Sequence, residues 1–284
     1  MKLYPIETGN FKLDGGAMFG VVPKALWERT NPADSNNMCT WSMRSMLVED
    51  GNRLMLIDTG IGNKQSDKFF SHYYLHGDNT LKKSLNKLNF GLDDITDVFL
   101  THLHFDHCGG SVEWRDSEHT QLQPVFKNAK YWSNDKHWKW ATEPNPREKA
   151  SFLTENILPI QESGQLDFVT RTDRITKNVF AGMDVFFADG HTESQMIPMI
   201  KYKEKTVVFM ADLLPSIGHL PLPYVMGYDT RPLLTMDEKL QFLNLAADEE
   251  FILFLEHDSI NECCTVQHTE KGVRLKETLK LSDL

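Results

Sequence analysis

Four of the six side chains from 102 to 107 belong to the types that bind metal ions: His102, His104, Asp106 and His107, in Thr101-His102-Leu103-His104-Phe105-Asp106-His107-Cys108-Gly109-Gly110. Along an extended segment His102 and His104 project to one side and can share a cation; a turn after them lets Asp106 and His107 face a neighbouring one. Imidazole and carboxylate without thiolate suit zinc, and manganese, cobalt or iron fit the same donors. A lone histidine or aspartate is usually a surface, core or cap residue. Three histidines and an aspartate packed together repel one another unless a cation joins them, which favours a metal centre. Such a centre polarises a carbonyl or phosphoryl oxygen and makes water acidic enough to attack it near neutral pH.

The motif needs further ligands, and three other segments offer them. Ala188-Asp189-Gly190-His191-Thr192, Met210-Ala211-Asp212 and Leu255-Glu256-His257 each place a histidine or aspartate at or past the end of an apolar run. In α/β folds the carboxyl ends of strands are where sites gather. As a carboxylate, Asp212 is able to bridge two ions.

The elements that must position these residues read as a layered α/β protein with a single domain over residues 1–284. Residues 41–60 form a hairpin around Asp50-Gly51-Asn52. Leu81, Leu85 and Leu88 predict a helix over 79–90, leading into a strand over 97–102. Pro144 and Pro146 separate two helices within 133–158. Strands follow over 183–189, 196–202, 206–212 and 251–257. A helix opening on the capping-box pair Thr235 and Glu238 lies before the last of them.

Composition narrows the class. The chain has 284 residues, 40% hydrophobic and 25% charged, enough to bury a large core. Lysine and arginine number 30 against 40 acidic residues, a net charge of −10 that argues against a nucleic-acid partner. No signal segment or membrane span is read from the sequence, and a cytoplasmic enzyme is the expectation. The four cysteines, Cys39, Cys108, Cys263 and Cys264, lack zinc-site spacing and read as free thiols.

His102-x-His104-x-Asp106-His107 with Gly109-Gly110 behind it and Leu56-Ile57-Asp58-Thr59-Gly60 before it resembles the metallo-β-lactamase-fold hydrolases. The likeness covers roughly residues 40–260. It implies an αβ/βα sandwich, two mixed β-sheets flanked by helices, with a dinuclear metal site at one edge. Carried over, it assigns His102, His104 and His191 to one metal and Asp106, His107 and His257 to the other, with Asp212 bridging and Asp58 supporting the ligands from beneath. Zinc is the expected ion of both sites.

Residues 210–239 resemble the branch that holds N-acyl homoserine lactonases and methyl-parathion-hydrolase-like enzymes. The implied activity is quorum quenching: a hydroxide between the ions attacks the lactone carbonyl, and Asp106 either takes and returns the proton or serves only as a ligand. The chain departs from that pattern at Pro215, where many lactonases carry a tyrosine; Tyr224 or Tyr228 would stand in. Pocket candidates are His219, Met38, Trp114 and Trp138, while His72, His76, His119, His137 and His268 are read as surface residues.

The alternatives are a related phosphotriesterase or arylesterase, a glyoxalase II-type thioesterase, and a redox or non-catalytic metal protein. The expected partner is a small-molecule acyl lactone or ester. No membrane partner is expected, and a homodimer is left open.

Overall fold

A tight turn sets the first pairing. Gly51, at φ +59°, adopts a left-handed conformation that costs glycine little. With Asn52 it folds Met38–Asp50 back on Arg53–Ile57, in register from Asp50↔Arg53 to Met46↔Ile57. This is the hairpin the sequence predicts. The computed structural model describes residues 1–284, which pack as two compact units: Met1–Gly9 with Met43–Arg171, and Asn10–Ser42 with Thr172–Leu284.

In the first unit the ladder turns parallel after the hairpin. Arg53–Ile57, Asp97–Phe99, Lys130–Ser133 and Leu166–Phe168 pair in that order. Parallel neighbours need crossovers, and all three contain helix, the middle one only the short Phe105–Cys108. Leu81–Lys87 connects the first pair, and Asp135–Thr142 with Thr154–Glu162 connects the last. Leu85 is fully buried and Leu81 and Leu88 pack beside it, against a core that includes Leu56, Val98, Phe126, Tyr131 and Ile160. The Thr80 hydroxyl caps the first helix by accepting from Lys83 N. That helix stops short of the expected residue 90, because Asn89 turns left-handed at φ +63°.

The strand expected over 97–102 also ends early, at Phe99. Leu100 N still reaches Trp132 O at 3.0 Å, but Thr101 N turns to the Asp58 carboxylate at 2.8 Å. The chain therefore leaves the ladder where the histidine motif begins.

In the second unit seven strands run in the order Gly272–Leu279, Cys263–Thr269, Ile252–Phe254, Lys205–Phe209, Gln195–Tyr202, Met183–Ala188 and Ile175–Phe180. All neighbours are antiparallel except Lys205–Phe209 with Ile252–Phe254, whose crossover is the helix Pro232–Asp248. This helix buries Phe242, Leu243 and Ala246, with the Phe242 ring 5.0 Å from that of Phe186. Its start corrects the capping-box expectation. Proline at the first helical position, where a missing N–H costs nothing, begins the helix at Pro232. Thr235 and Glu238 thus lie inside the helix, and Glu238 is free for another task.

The strands Met183–Ala188, Lys205–Phe209 and Ile252–Phe254 all stop before the histidine or aspartate that follows them. No helix is long and apolar enough to cross a membrane. All four cysteines are free and buried.

Candidate metal centre

Four of the candidate ligands, His102, His104, Asp106 and His107, follow a strand end of the first unit. Asp58 follows Arg53–Ile57 and is fully buried, with a left-handed φ of +56°. Because the neighbouring strand ends beside it, Asp58 accepts from Thr101 N at 2.8 Å and from Thr101 Oγ1 at 2.6 Å. Its Oδ2 also lies 3.0 Å from His107 Nδ1. With its own proton given to Asp58, the Thr101 hydroxyl accepts from His102 Nδ1 at 3.1 Å. One buried carboxylate therefore sets the tautomers of two imidazoles, placing the proton of each on Nδ1.

His104 is oriented from the opposite edge. Its Nε2 lies 3.3 Å from Glu148 Oε1, and Trp140 Nε1 and Asn145 Nδ2 hold Glu148 Oε2 at 2.6 Å each. His104 Nδ1 then faces His102 Nε2 at 3.1 Å. Two acceptor nitrogens at that distance repel unless a proton or a metal ion lies between them.

The glycines after the motif have a steric reason. A Cβ on Gly109 would come within 2.2 Å of Ile61 O, and one on Gly110 within 2.2 Å of Thr59 O. The close approach lets Thr59 N reach His107 O and Gly110 N reach Gly60 O, both at 2.8 Å. The loop that carries Asp58 is thereby tied to the one that carries the histidines. Cys108 donates to Leu103 O at 3.3 Å, and burial pushes its thiol up to about 12, which removes it as a nucleophile.

The remaining candidate ligands, His191, Asp212 and His257, lie in the second unit. Asp212 sits in the short 3-10 turn Ala211–Leu213, entered through Ala211 at φ +41°. Strained backbone of this kind persists where the surroundings enforce it, commonly at functional sites. The two Asp212 oxygens divide: Oδ2 is 3.0 Å from His191 Nε2, and Oδ1 is 3.0 Å from His257 Nε2. The far nitrogens are held as well. His191 Nδ1 meets Asp229 Oδ1 at 2.9 Å, and His257 Nδ1 donates to Ser42 O at 2.8 Å. Burial alone would lower the pKa of His191, but Asp212 and Asp229 outweigh it and raise it to about 10. Without a cation the imidazole keeps a second proton.

Within the first unit the ring nitrogens of His102 and His104 face each other at 3.1 Å and Asp106 Oδ2 lies 3.7 Å from His107 Nε2; within the second, His191 and His257 both turn toward Asp212. Each of these side chains is buried. Imidazole nitrogens and carboxylate oxygens with no thiolate, most of them oriented by hydrogen bonds on their outer edges, are a donor set that fits divalent ions.

The other candidates fall in different settings. His219 is 1% exposed and stacks on Phe19, with ring centroids 4.4 Å apart. Its Nδ1 faces Ser216 Oγ and its Nε2 faces Met18 O, both at 2.9 Å, so both nitrogens are committed inside the protein. Trp138 is part of the first unit's core. Trp114 is half-buried, donates to Lys64 O at 2.9 Å and stacks on His119. Met38 and Tyr224 are half-buried, and Tyr228 is exposed.

His137, expected at the surface, is fully buried, and its Nε2 accepts from Leu103 N at 2.8 Å between two of the motif's histidines. Sequence reasoning also missed Asp229, Glu148 and Ser42. They lie 38, 44 and 215 residues from the histidines they contact, and no local spacing marks them.

A family model described as the metallo-beta-lactamase superfamily matches residues 44–257. Among solved structures, a probable metal-dependent hydrolase from Staphylococcus aureus is similar at TM-score 0.86 and 25% identity, over 98% of this chain and 96% of that one. AidC, a dizinc quorum-quenching lactonase in complex with a product, is similar at TM-score 0.75 and 22% identity, over 96% and 92%. An N-acyl homoserine lactone hydrolase with product bound at its catalytic metal centre is similar at TM-score 0.67 and 17% identity, over 91% and 93%.

Proposed function

Because this chain belongs to the metallo-beta-lactamase superfamily and is a metal-dependent hydrolase, we propose that it opens the ring of N-acyl homoserine lactones with two bound divalent ions, zinc foremost. His102, His104 and His191 would hold one ion and Asp106, His107 and His257 the other, with Asp212 shared. The observation that carries the paired-ion reading is the division of Asp212, one oxygen toward His191 and the other toward His257. The lactone is supported by residues 210–239 and by the likeness to two lactonase structures.

When bound, such ions polarise a carbonyl oxygen and lower the pKa of water. The protein's own groups do the rest. Asp58, Thr101, Asp229 and the Ser42 carbonyl keep four imidazoles in the tautomer and orientation that present a lone pair. Asp106 takes the proton released as the ester carbonyl is attacked and returns it to the departing ring alkoxide, leaving an N-acyl hydroxy acid. A phenol from Tyr224 or Tyr228 would assist in place of the residue that is Pro215 here. Met38 and Trp114 remain the pocket positions to probe, while His219, enclosed between Phe19, Ser216 and Met18, is a core residue.

The test is hydrolysis of N-acyl homoserine lactones, phosphotriesters and thioesters by metal-analysed wild type and Asp212→Asn. Fast lactone opening that requires two metals and collapses in the variant is expected. A dimetal protein inert toward lactones but active on phosphotriesters or thioesters would overturn the substrate assignment and leave the centre standing.

A further inference from the structure

Glu238, misplaced at a helix cap by its sequence pattern, is 1% exposed and has no role in the chemistry described so far. A carboxylate is rarely buried without strong partners, because desolvation costs it several kcal/mol unless they repay it. Its partners are specific. Asp189 N lies 2.9 Å from Oε1 and 3.0 Å from Oε2, Gly190 N lies 2.9 Å from Oε2, and the Arg174 guanidinium pairs with Oε1. Asp189 and Gly190 are the two residues immediately before His191.

The carbonyl side of the same backbone is held from the segment that enters the long helix. Arg231 N donates to Gly190 O at 2.9 Å and Thr230 N to His191 O at 3.1 Å. The approach is close: a Cβ on Gly190 would meet Thr235 N at 2.4 Å. Asp229 fixes the His191 ring, but a ring can be no better placed than the backbone that carries it.

We infer that Glu238 is a positioning residue for His191, fixing the 189–190 backbone from the long helix and so setting the affinity of the metal position to which His191 belongs. The inference rests on the metal reading above and adds to it a residue that touches neither metal nor substrate. The next residue, Lys239, is an internal control. It is equally buried, but its Nζ donates to the carbonyls of His219, Pro221 and Tyr224 at 2.9, 3.3 and 2.8 Å, away from residues 189–191.

The experiment compares wild type, Glu238→Gln, Gly190→Ala and Lys239→Met by zinc competition against a chromophoric chelator and by amide hydrogen exchange. Glutamine keeps one acceptor oxygen and sets an NH2 against the remaining donors. Gly190→Ala pushes the same loop off the helix and serves if Glu238→Gln does not fold. Expected are two zinc ions in wild type; one of them weakened about tenfold or more in Glu238→Gln and in Gly190→Ala, with the other unchanged; and faster exchange over 189–194. Lys239→Met is expected to lower thermal stability and speed exchange over 219–225 while keeping both affinities.

Wild-type affinity for both zinc ions in Glu238→Gln, or an equal loss in Lys239→Met, would overturn the inference. A wild type that takes up no metal would overturn the metal reading and the affinity claim with it. In that case the exchange over 189–194 would still show separately whether Glu238 holds the loop.

Discussion

Asp229 Oδ1 lies 2.9 Å from Nδ1 of His191, a bond across 38 residues of chain that joins a strand-end histidine to the approach of the long helix. Asp229 Oδ2 accepts from Met226 N at 3.1 Å, so the carboxylate is itself held in place. Such outer partners are commonly worth 10–100-fold in metal affinity. Asp229→Ala is expected to weaken one of the two zinc ions by about that factor. Asp229→Asn, which keeps an oxygen for the Nδ1 proton, should lose less. Chelator competition measures both, and equal affinities in wild type and Asp229→Ala would refute the assignment.

Removing the metals should cost more than activity. The buried nitrogens of His102 and His104, 3.1 Å apart, are left facing each other. Ligand binding to the folded state stabilises it by RT ln(1 + [L]/Kd), about 2.7 kcal/mol at a hundredfold excess over Kd. Chelator-treated protein should therefore melt several degrees lower and recover on adding zinc. Unchanged melting in differential scanning calorimetry would argue that the cluster is satisfied by protons alone.

Gly110 is a steric requirement. Its missing Cβ would fall 2.2 Å from Thr59 O, a backbone atom that cannot swing aside. Gly110→Ala should destabilise by about 1–3 kcal/mol, the usual range for forced overpacking. It should also loosen the bond of Thr59 N to His107 O and with it metal retention. Urea unfolding of chelator-treated protein isolates the first effect, and a wild-type midpoint there would contradict the packing argument.

His219 makes stability depend on pH in a definite direction. Burial first, with the Lys239 charge adding to it, pushes its pKa down to about 3 from 6.5. Between those values the unfolded chain binds a proton that the folded one does not, so stability falls as pH falls through this window. One such group contributes a slope of up to about 1.4 kcal/mol per pH unit. His219→Phe, which keeps an aromatic ring against Phe19, should lower stability at pH 7 through the two lost hydrogen bonds yet flatten the decline between pH 6 and 4. An unchanged slope in urea titrations would show that another group controls it.

Much of this was written in short-range pattern. Histidines two apart after an apolar strand, the aspartates and histidines at three other strand ends, and the Asp50-Gly51-Asn52 turn are local, because strand alternation and turn sterics act over a few residues. The same locality explains the errors. Thr235 and Glu238 have a cap's spacing, but Pro232 starts the helix a turn earlier, and only the packed loop at 189–190 gives Glu238 its partners. His137 looked like a surface residue until folding placed it under Leu103 N. The sequence by itself determined which side chains have metal chemistry and which elements carry them. Tertiary structure alone decided which far nitrogen of each imidazole is held, and by what. Those partners are recruited across dozens of residues, by the need of buried polar groups for hydrogen bonds wherever the packed chain supplies them.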